Sequence, residues 1–266
     1  MQARPKANKE LGQHFLKDKT VINKIIQDAP AQFDLIVEVG PGAGALTEPL
    51  SRLGSPLYLI EKDVRFEPQL SFDNVKEIFF QDAMLFNWKN FVKEKGLENK
   101  KIWLVSNLPY NVSSQLFIQF LQVPQISNMT LMYQKEVGEK TYMRQNAKNQ
   151  SNSLLSLSRV YTQSKLVAKV HPGAFHPPPK VESVVVSYWR KSDPAVKLEE
   201  FQELERFLRG LFSFKRKQLG SVLKSFSQGK KLAQSLQQTG FNLQVRAESL
   251  SLDEILEAYK VFKQLV

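Results

Sequence analysis

The chain has 266 residues and no cysteine. Disulfides, thiolate zinc sites and cysteine nucleophiles are therefore excluded. Histidine is almost as scarce, with only His14, His171 and His176. Two of the three lie near prolines and none has helical metal-ligand spacing, so no metal site is expected. No apolar run approaches the length of a membrane span. The first ten residues, Met1 to Glu10, are basic and polar without an apolar centre and do not read as a secretory signal. A cytoplasmic setting without membrane attachment is expected. Acid is also in deficit: 26 Asp and Glu face 37 Lys and Arg, a net charge of +11. That balance favours an anionic partner, and nucleic acid is the usual one. The length suffices for one large domain and one small one.

What is present is an alternation of short β-rich runs and helical patterns. Candidate strands are Asp34–Val39, Leu57–Glu61, Val75–Phe80, Ile102–Asn107, Asn128–Tyr133, Lys165–Val170 and Val181–Trp189. Helical spacing falls between the first five, at Gly44–Leu53, Val64–Leu70, Trp88–Lys95 and Val112–Leu121. This rhythm predicts an α/β fold with a parallel sheet covered on both faces. Pro172 and the Pro177-Pro178-Pro179 run separate the last two strands, which predicts an antiparallel edge. Composition shifts after Arg190, and everything beyond the linker Lys191–Ala195 is helical in pattern. The expected domains are residues 1–190 and an all-helical 191–266.

Four strand ends carry chemistry. After the first comes Glu38-Val-Gly40-Pro-Gly42-Ala-Gly44-Ala-Leu-Thr47, whose glycines allow a tight turn and close approach to a ligand. Glu61 ends the second strand, where an acid binds ribose hydroxyls; Asp82 follows the third, where a carboxylate can accept from an adenine amine. These positions fit NAD and S-adenosylmethionine equally. The fourth strand end chooses between them. Asn107-Leu108-Pro109-Tyr110 places an amide oxygen, a backbone carbonyl of fixed direction and an aromatic face together. This is a receptor for a flat base with an exocyclic amine.

Here the sequence resembles the ribosomal RNA adenine dimethyltransferases, a class I S-adenosylmethionine-dependent family, from about Leu11 to Tyr259. Gly12-Gln-His-Phe-Leu16 is similar to the family's N-terminal cofactor motif. Glu38 to Thr47 matches its glycine turn and Asn107 to Ser113 its catalytic motif. Met132-Tyr-Gln-Lys-Glu-Val137 and Gly173-Ala-Phe-His-Pro-Pro-Pro-Lys-Val181 match two further segments. Ser114-Gln115 departs from the Thr-Pro pair that relatives commonly carry. The resemblance implies a Rossmann-like class I methyltransferase sheet with a small helical domain. It implies that His14, Leu16, Gly40, Gly42, Glu61, Asp82, Ala83 and Asn107 line the cofactor site. Asn107, Leu108, Tyr110 and Phe175 would hold the target adenine, with Phe175 over the face opposite Tyr110. The implied activity is dimethylation of two adjacent adenosines in the 3′-terminal hairpin of small-subunit ribosomal RNA, on an immature subunit, by a monomer.

From Arg206 to Lys231 there are eight Lys or Arg and no acid. Phe207, Leu208, Leu211, Phe212, Leu219, Val222 and Leu223 repeat at helical spacing and should face a small core, leaving the cations for phosphate. The resemblance puts Lys215, Arg216 and Lys217 in the RNA-binding helical domain, and Arg4, Lys6 and Lys9 suit a basic arm. Two alternatives stay open at this point. One is a large-subunit adenine methyltransferase of the macrolide-resistance type. The other is an RNA-binding assembly or transcription factor with little catalysis.

Overall fold

The computed structural model of the chain describes residues 5–8, 13–144 and 148–265. The strands are β1 (Phe15–Leu16), β2 (Leu35–Val39), β3 (Leu57–Glu61), β4 (Val75–Phe80), β5 (Ile102–Asn107), β6 (Ile126–Gln134), β7 (Thr162–Val170), β8 (Phe175–His176) and β9 (Ser183–Arg190). Seven of them form one sheet in the order β4-β3-β2-β5-β6-β9-β7. The first five of these are mutually parallel, and β9 runs antiparallel to β6. Strand β2 is Leu-Ile-Val-Glu-Val with every residue buried, the pattern of a parallel strand covered on both faces. β1 and β8 pair in a separate antiparallel ribbon.

The helices of this part are α1 (Lys19–Gln27), α2 (Thr47–Ser51), α3 (Trp88–Glu94), α4 (Ser113–Leu121) and α5 (Lys135–Gly138). Asp18 caps α1 by accepting from the Thr20 and Val21 N–H groups, which satisfies donors a helix start leaves open. Val64–Gln69, where a helical segment is expected, is a 3-10 turn with Pro68 inside it; proline removes the N–H that an α-helix would need. The unmatched Ser114-Gln115 pair leaves α4 in place, beginning at Ser113.

The chain divides into two compact units, Met1–Glu139 with Gln163–Arg190, and Lys140–Thr162 with Lys191–Val266. The sheet and its helices make the first. Residues 140–162, which precede the boundary drawn at 190/191 from composition, cluster with the second. That unit holds α6 (Ser153–Tyr161), α7 (Phe201–Leu211), α8 (Leu219–Leu223), α9 (Gly229–Gln238) and α10 (Leu252–Leu265). Its core gathers Phe207, Phe226, Tyr259 and Phe262, with Phe207 5.3–5.5 Å from the other three ring centres. Burying an aliphatic or aromatic side chain of this size contributes roughly 1.5–3 kcal/mol. Among the described residues no helix is long and apolar enough to cross a membrane.

Candidate active site

Strand order reverses at β2 and β5, and a crevice opens outside the carboxyl ends of the strands there. It is lined by residues 13–16, the turn after β2, the ends of β3 and β4, and residues 107–112. His14, Leu16, Gly40, Gly42, Glu61, Asp82, Ala83, Asn107, Leu108 and Tyr110 all lie on its wall.

Gly40 and Gly42 have φ of +70° and +52°, where a side chain is strained. A Cβ on Gly42 would also press on the Phe15 ring at 3.3 Å. The turn therefore offers bare backbone to the crevice. The Gly42 N–H donates to Glu61 Oε2 at 2.9 Å, and the Asp63 N–H donates to Glu61 Oε1 at 2.8 Å. Burial pushes the Glu61 pKa up, opposed by these donors. Asp82 is more open. The Lys62 ammonium donates to its Oδ2 at 2.8 Å and the Met84 N–H to its Oδ1 at 2.9 Å, and these bonds, Lys62 first, hold its carboxyl below the usual range.

Asn107 ends β5. Its Nδ2 donates to the His14 carbonyl at 3.1 Å. Only the amide nitrogen can donate to a carbonyl, so this bond orients the side chain and leaves Oδ1 as the outward acceptor. The Leu108 N–H donates to the Met132 carbonyl at 3.1 Å, which anchors the turn. Neither Asn107 Oδ1 nor the Leu108 carbonyl accepts a hydrogen bond from the described residues. The Ser106 hydroxyl donates to the Val39 carbonyl at 2.6 Å, locking the ends of β5 and β2 together. Tyr110 is held twice. Its hydroxyl bonds Ser183 Oγ at 2.7 Å, and its ring stacks on His14 with centres 5.7 Å apart at 26°. The His14 Nδ1–H in turn donates to the Pro177 carbonyl at 2.8 Å.

The structure does not bring Phe175 to the crevice wall. Phe175 is 1% exposed, belongs to the core cluster that holds Leu16, Met132 and Val185, and does not line the crevice. The cause is the ribbon: Leu16 pairs with Phe175, and strand alternation sends the next residue, His176, outward. The ring that lies on Tyr110 is His14. Three further residues escaped the sequence reading. Ser183 gave only a weak signal, as the polar residue opening β9. Gln13 bonds Asp63 Oδ2 at 2.9 Å. Glu38 opens the glycine motif and is the lone acid in an otherwise apolar strand. It is 1% exposed, its Oε2 has no hydrogen-bond partner among the described residues, and burial, together with the charge of Glu61, pushes its pKa up to about 8.

Of the basic residues, Lys6 is exposed, while Arg4, Lys9 and also Gly12 lie outside the described residues. Lys215, Arg216 and Lys217 are exposed in the turn 213–218 that joins α7 to α8, rather than along a helix face. None of the three forms an ion pair with the described residues.

An antiparallel strand slotted in beside the last parallel one distinguishes this sheet from a dinucleotide-binding fold and makes the first unit a class I methyltransferase. The model of the family described as ribosomal RNA adenine dimethylase matches residues 4–264, and the chain belongs to that family. A protein of Clostridium botulinum (strain Okra / Type B1) named Ribosomal RNA small subunit methyltransferase A is 34% identical over 257 residues, spanning 94% of this chain and 91% of its own. One of the same name from Staphylococcus aureus (strain JH9) is 34% identical over 277 residues, spanning 97% and 91%. Two crystal structures share the fold. A dimethyladenosine transferase from Plasmodium falciparum superposes with a TM-score of 0.77 at 23% identity, covering 94% of this chain and 98% of that one. The 23S rRNA methyltransferase ErmE gives 0.68 at 21%, covering 94% and 100%.

The protein is thus an S-adenosylmethionine-dependent enzyme that dimethylates adenine in ribosomal RNA. The crevice suits that donor. Bare glycine backbone allows close approach, Glu61 is fixed by backbone N–H groups, and Ile60 and Ala83 give an apolar wall.

Proposed function

We propose that the enzyme dimethylates N6 of two adjacent adenosines in the 3′-terminal hairpin of small-subunit ribosomal RNA, as a cytoplasmic monomer acting on an immature subunit. The observation that carries the chemistry is the Asn107 amide, oriented by the His14 carbonyl beside the open Leu108 carbonyl and the Tyr110 ring. The names of the curated relatives support the small subunit as target. The large-subunit alternative has support from fold alone. The binding-factor alternative is disfavoured because Asn107, Leu108 and Tyr110 are all present on the crevice wall.

S-adenosylmethionine supplies an electrophilic methyl on a sulfonium. We assign its ribose to Glu61, its adenine to Asp82 and Ala83, and its amino-acid end to the Gly40–Gly42 backbone, His14 and Leu16. An exocyclic adenine amine is a poor nucleophile because its lone pair is delocalised into the ring. Asn107 Oδ1 and the Leu108 carbonyl accept its two N–H groups, draw the nitrogen toward tetrahedral geometry and aim the lone pair. Their contribution is orientation and stabilisation of the positive charge that develops on nitrogen. Tyr110 stacks on the base, worth roughly 1–3 kcal/mol, and Ser183 fixes the ring that does so. The base must be unstacked to reach the site. The proton left on the methylated nitrogen is acidic enough to leave to water, so no carboxylate base is needed. For the second methyl only one N–H remains, and one of the two acceptors suffices.

The test is methyl transfer from labelled S-adenosylmethionine to immature small subunits, with large subunits and bare RNA as parallel acceptors and the product nucleosides identified. Dimethyladenosine in the small-subunit lane alone is the expected result. Label in the large-subunit lane would reassign the target, and cofactor binding without transfer to any acceptor would favour a binding factor.

A further inference from the structure

We propose that Phe214 is a stacking platform for an unpaired base of the RNA substrate. The inference rests on the ribosomal RNA reading above and adds a contact outside the crevice. Among the described residues Phe214 is the one Phe, Tyr or Trp that is exposed, at 42%. The other aromatics of the second unit are at least partly buried, several of them in the Phe207, Phe226, Tyr259 and Phe262 cluster. Phe214 sits instead in the turn between α7 and α8, immediately before Lys215-Arg216-Lys217. The Lys217 ammonium stands 4.2 Å from its ring centre.

A single exposed apolar side chain is ordinary on a protein surface; what sets Phe214 apart is its place beside three cations. A protein partner would require a contiguous apolar patch, and the residues around Phe214, from Ser213 to Gln218, are all exposed and mostly polar or basic. The charge decides the occupant. The segment 206–231 has eight cations and no acid, and the three cations beside the ring form no ion pair with the described residues. A nucleotide matches both features together, with a π face for the ring and a phosphate for the cations. Stacking tolerates any base, because every base has a π face. The target must be unpaired, since a base inside a duplex has no free face to offer. The turn thus adds a contact that depends on RNA shape to one that depends on charge.

The experiment measures affinity for immature small subunits across a salt series, alongside methyl transfer to the same particles. It compares the wild type with Phe214→Ala, Phe214→Leu, Phe214→Trp and Lys215→Ala. Thermal unfolding and S-adenosylhomocysteine affinity serve as folding controls. Loss of the ring by Ala or Leu is expected to weaken binding about tenfold without changing the salt slope, whereas Trp holds affinity. Lys215→Ala is expected to reduce the slope by about one unit. Wild-type affinity in Phe214→Ala, or full affinity in Phe214→Leu, overturns the inference while wild-type methyl transfer leaves the functional reading standing. A wild type that neither binds nor methylates these particles overturns both.

Discussion

The crevice of the first unit and the basic turn of the second handle polar groups in opposite ways. In the crevice three side chains are tied down: Asn107 by His14, Glu61 by two backbone N–H groups, and Tyr110 by Ser183. Glu38 is buried so deeply that ionisation is disfavoured. In the turn, Lys215, Arg216 and Lys217 are exposed and form no ion pair with the described residues. Fixed groups discriminate one chemical outline from another, and loose cations supply affinity for any phosphate chain. The enzyme needs both kinds, because one adenine amine must be selected within a large polyanion.

Four changes would break or sharpen that contrast. The largest effect is expected from Asn107→Ala, which removes an acceptor aimed at developing charge; turnover should fall by at least about 10³-fold. Single-turnover methyl transfer measures this, and substantial residual activity would refute the scheme. Next is Glu38, whose pKa rises from 4.5 to about 8 on folding. A raised carboxyl pKa means that the folded state holds the proton longer, so its contribution to stability is lost as pH climbs from about 4.5 to about 8. Urea unfolding should show the wild type losing about 3 kcal/mol more than Glu38→Gln by pH 7. Parallel curves for the two proteins would show that Glu38 ionises freely. Third, replacing Lys215, Arg216 and Lys217 together by Ala should weaken RNA binding about 10–100-fold at moderate salt and reduce the salt slope by about 2–3 units. Turnover at saturating RNA should stay unchanged, and an altered maximal rate would show that these cations act in the chemical step and not in RNA binding alone. The smallest effect belongs to Ser183→Ala, which frees the Tyr110 ring; turnover is expected to fall about fivefold with cofactor affinity intact. Tyr110→Phe should match it, and the double variant should lose no more than either alone. Additive losses would mean that the two hydroxyls act separately.

The seven strands of the main sheet were legible because each is a β-rich stretch at least five residues long and bounded by turn signals. The acid and glycine positions were legible because ligands on open sheets bind beyond strand ends, and strand ends could be located. The β1–β8 ribbon was not, since two residues carry no periodicity. The burial of Phe175 was not legible for the same reason. The resemblance implies a ring over the target base, whereas pairing with Leu16, 159 residues earlier, draws Phe175 into the core. Ser183 and His14 meet Tyr110 only through long-range folding, so no local pattern announces them. The apolar residues on either side were read at helical spacing with the cations on the opposite side, but Lys215, Arg216 and Lys217 lie in a turn that this spacing does not reveal. Residues 140–162 join the second unit through contacts that composition does not record.

Glu61 stands in the crevice with both oxygens held in place. When ionised, it attracts a sulfonium by Coulomb's law and gives a neutral thioether no such hold. On the proposed assignment of the donor, each methyl transfer turns the first species into the second, so the chemical step itself would loosen the grip on the spent donor. Two methyl groups on one nitrogen require two donors in succession. A site that lets go of what it has just used can be recharged while the RNA stays docked.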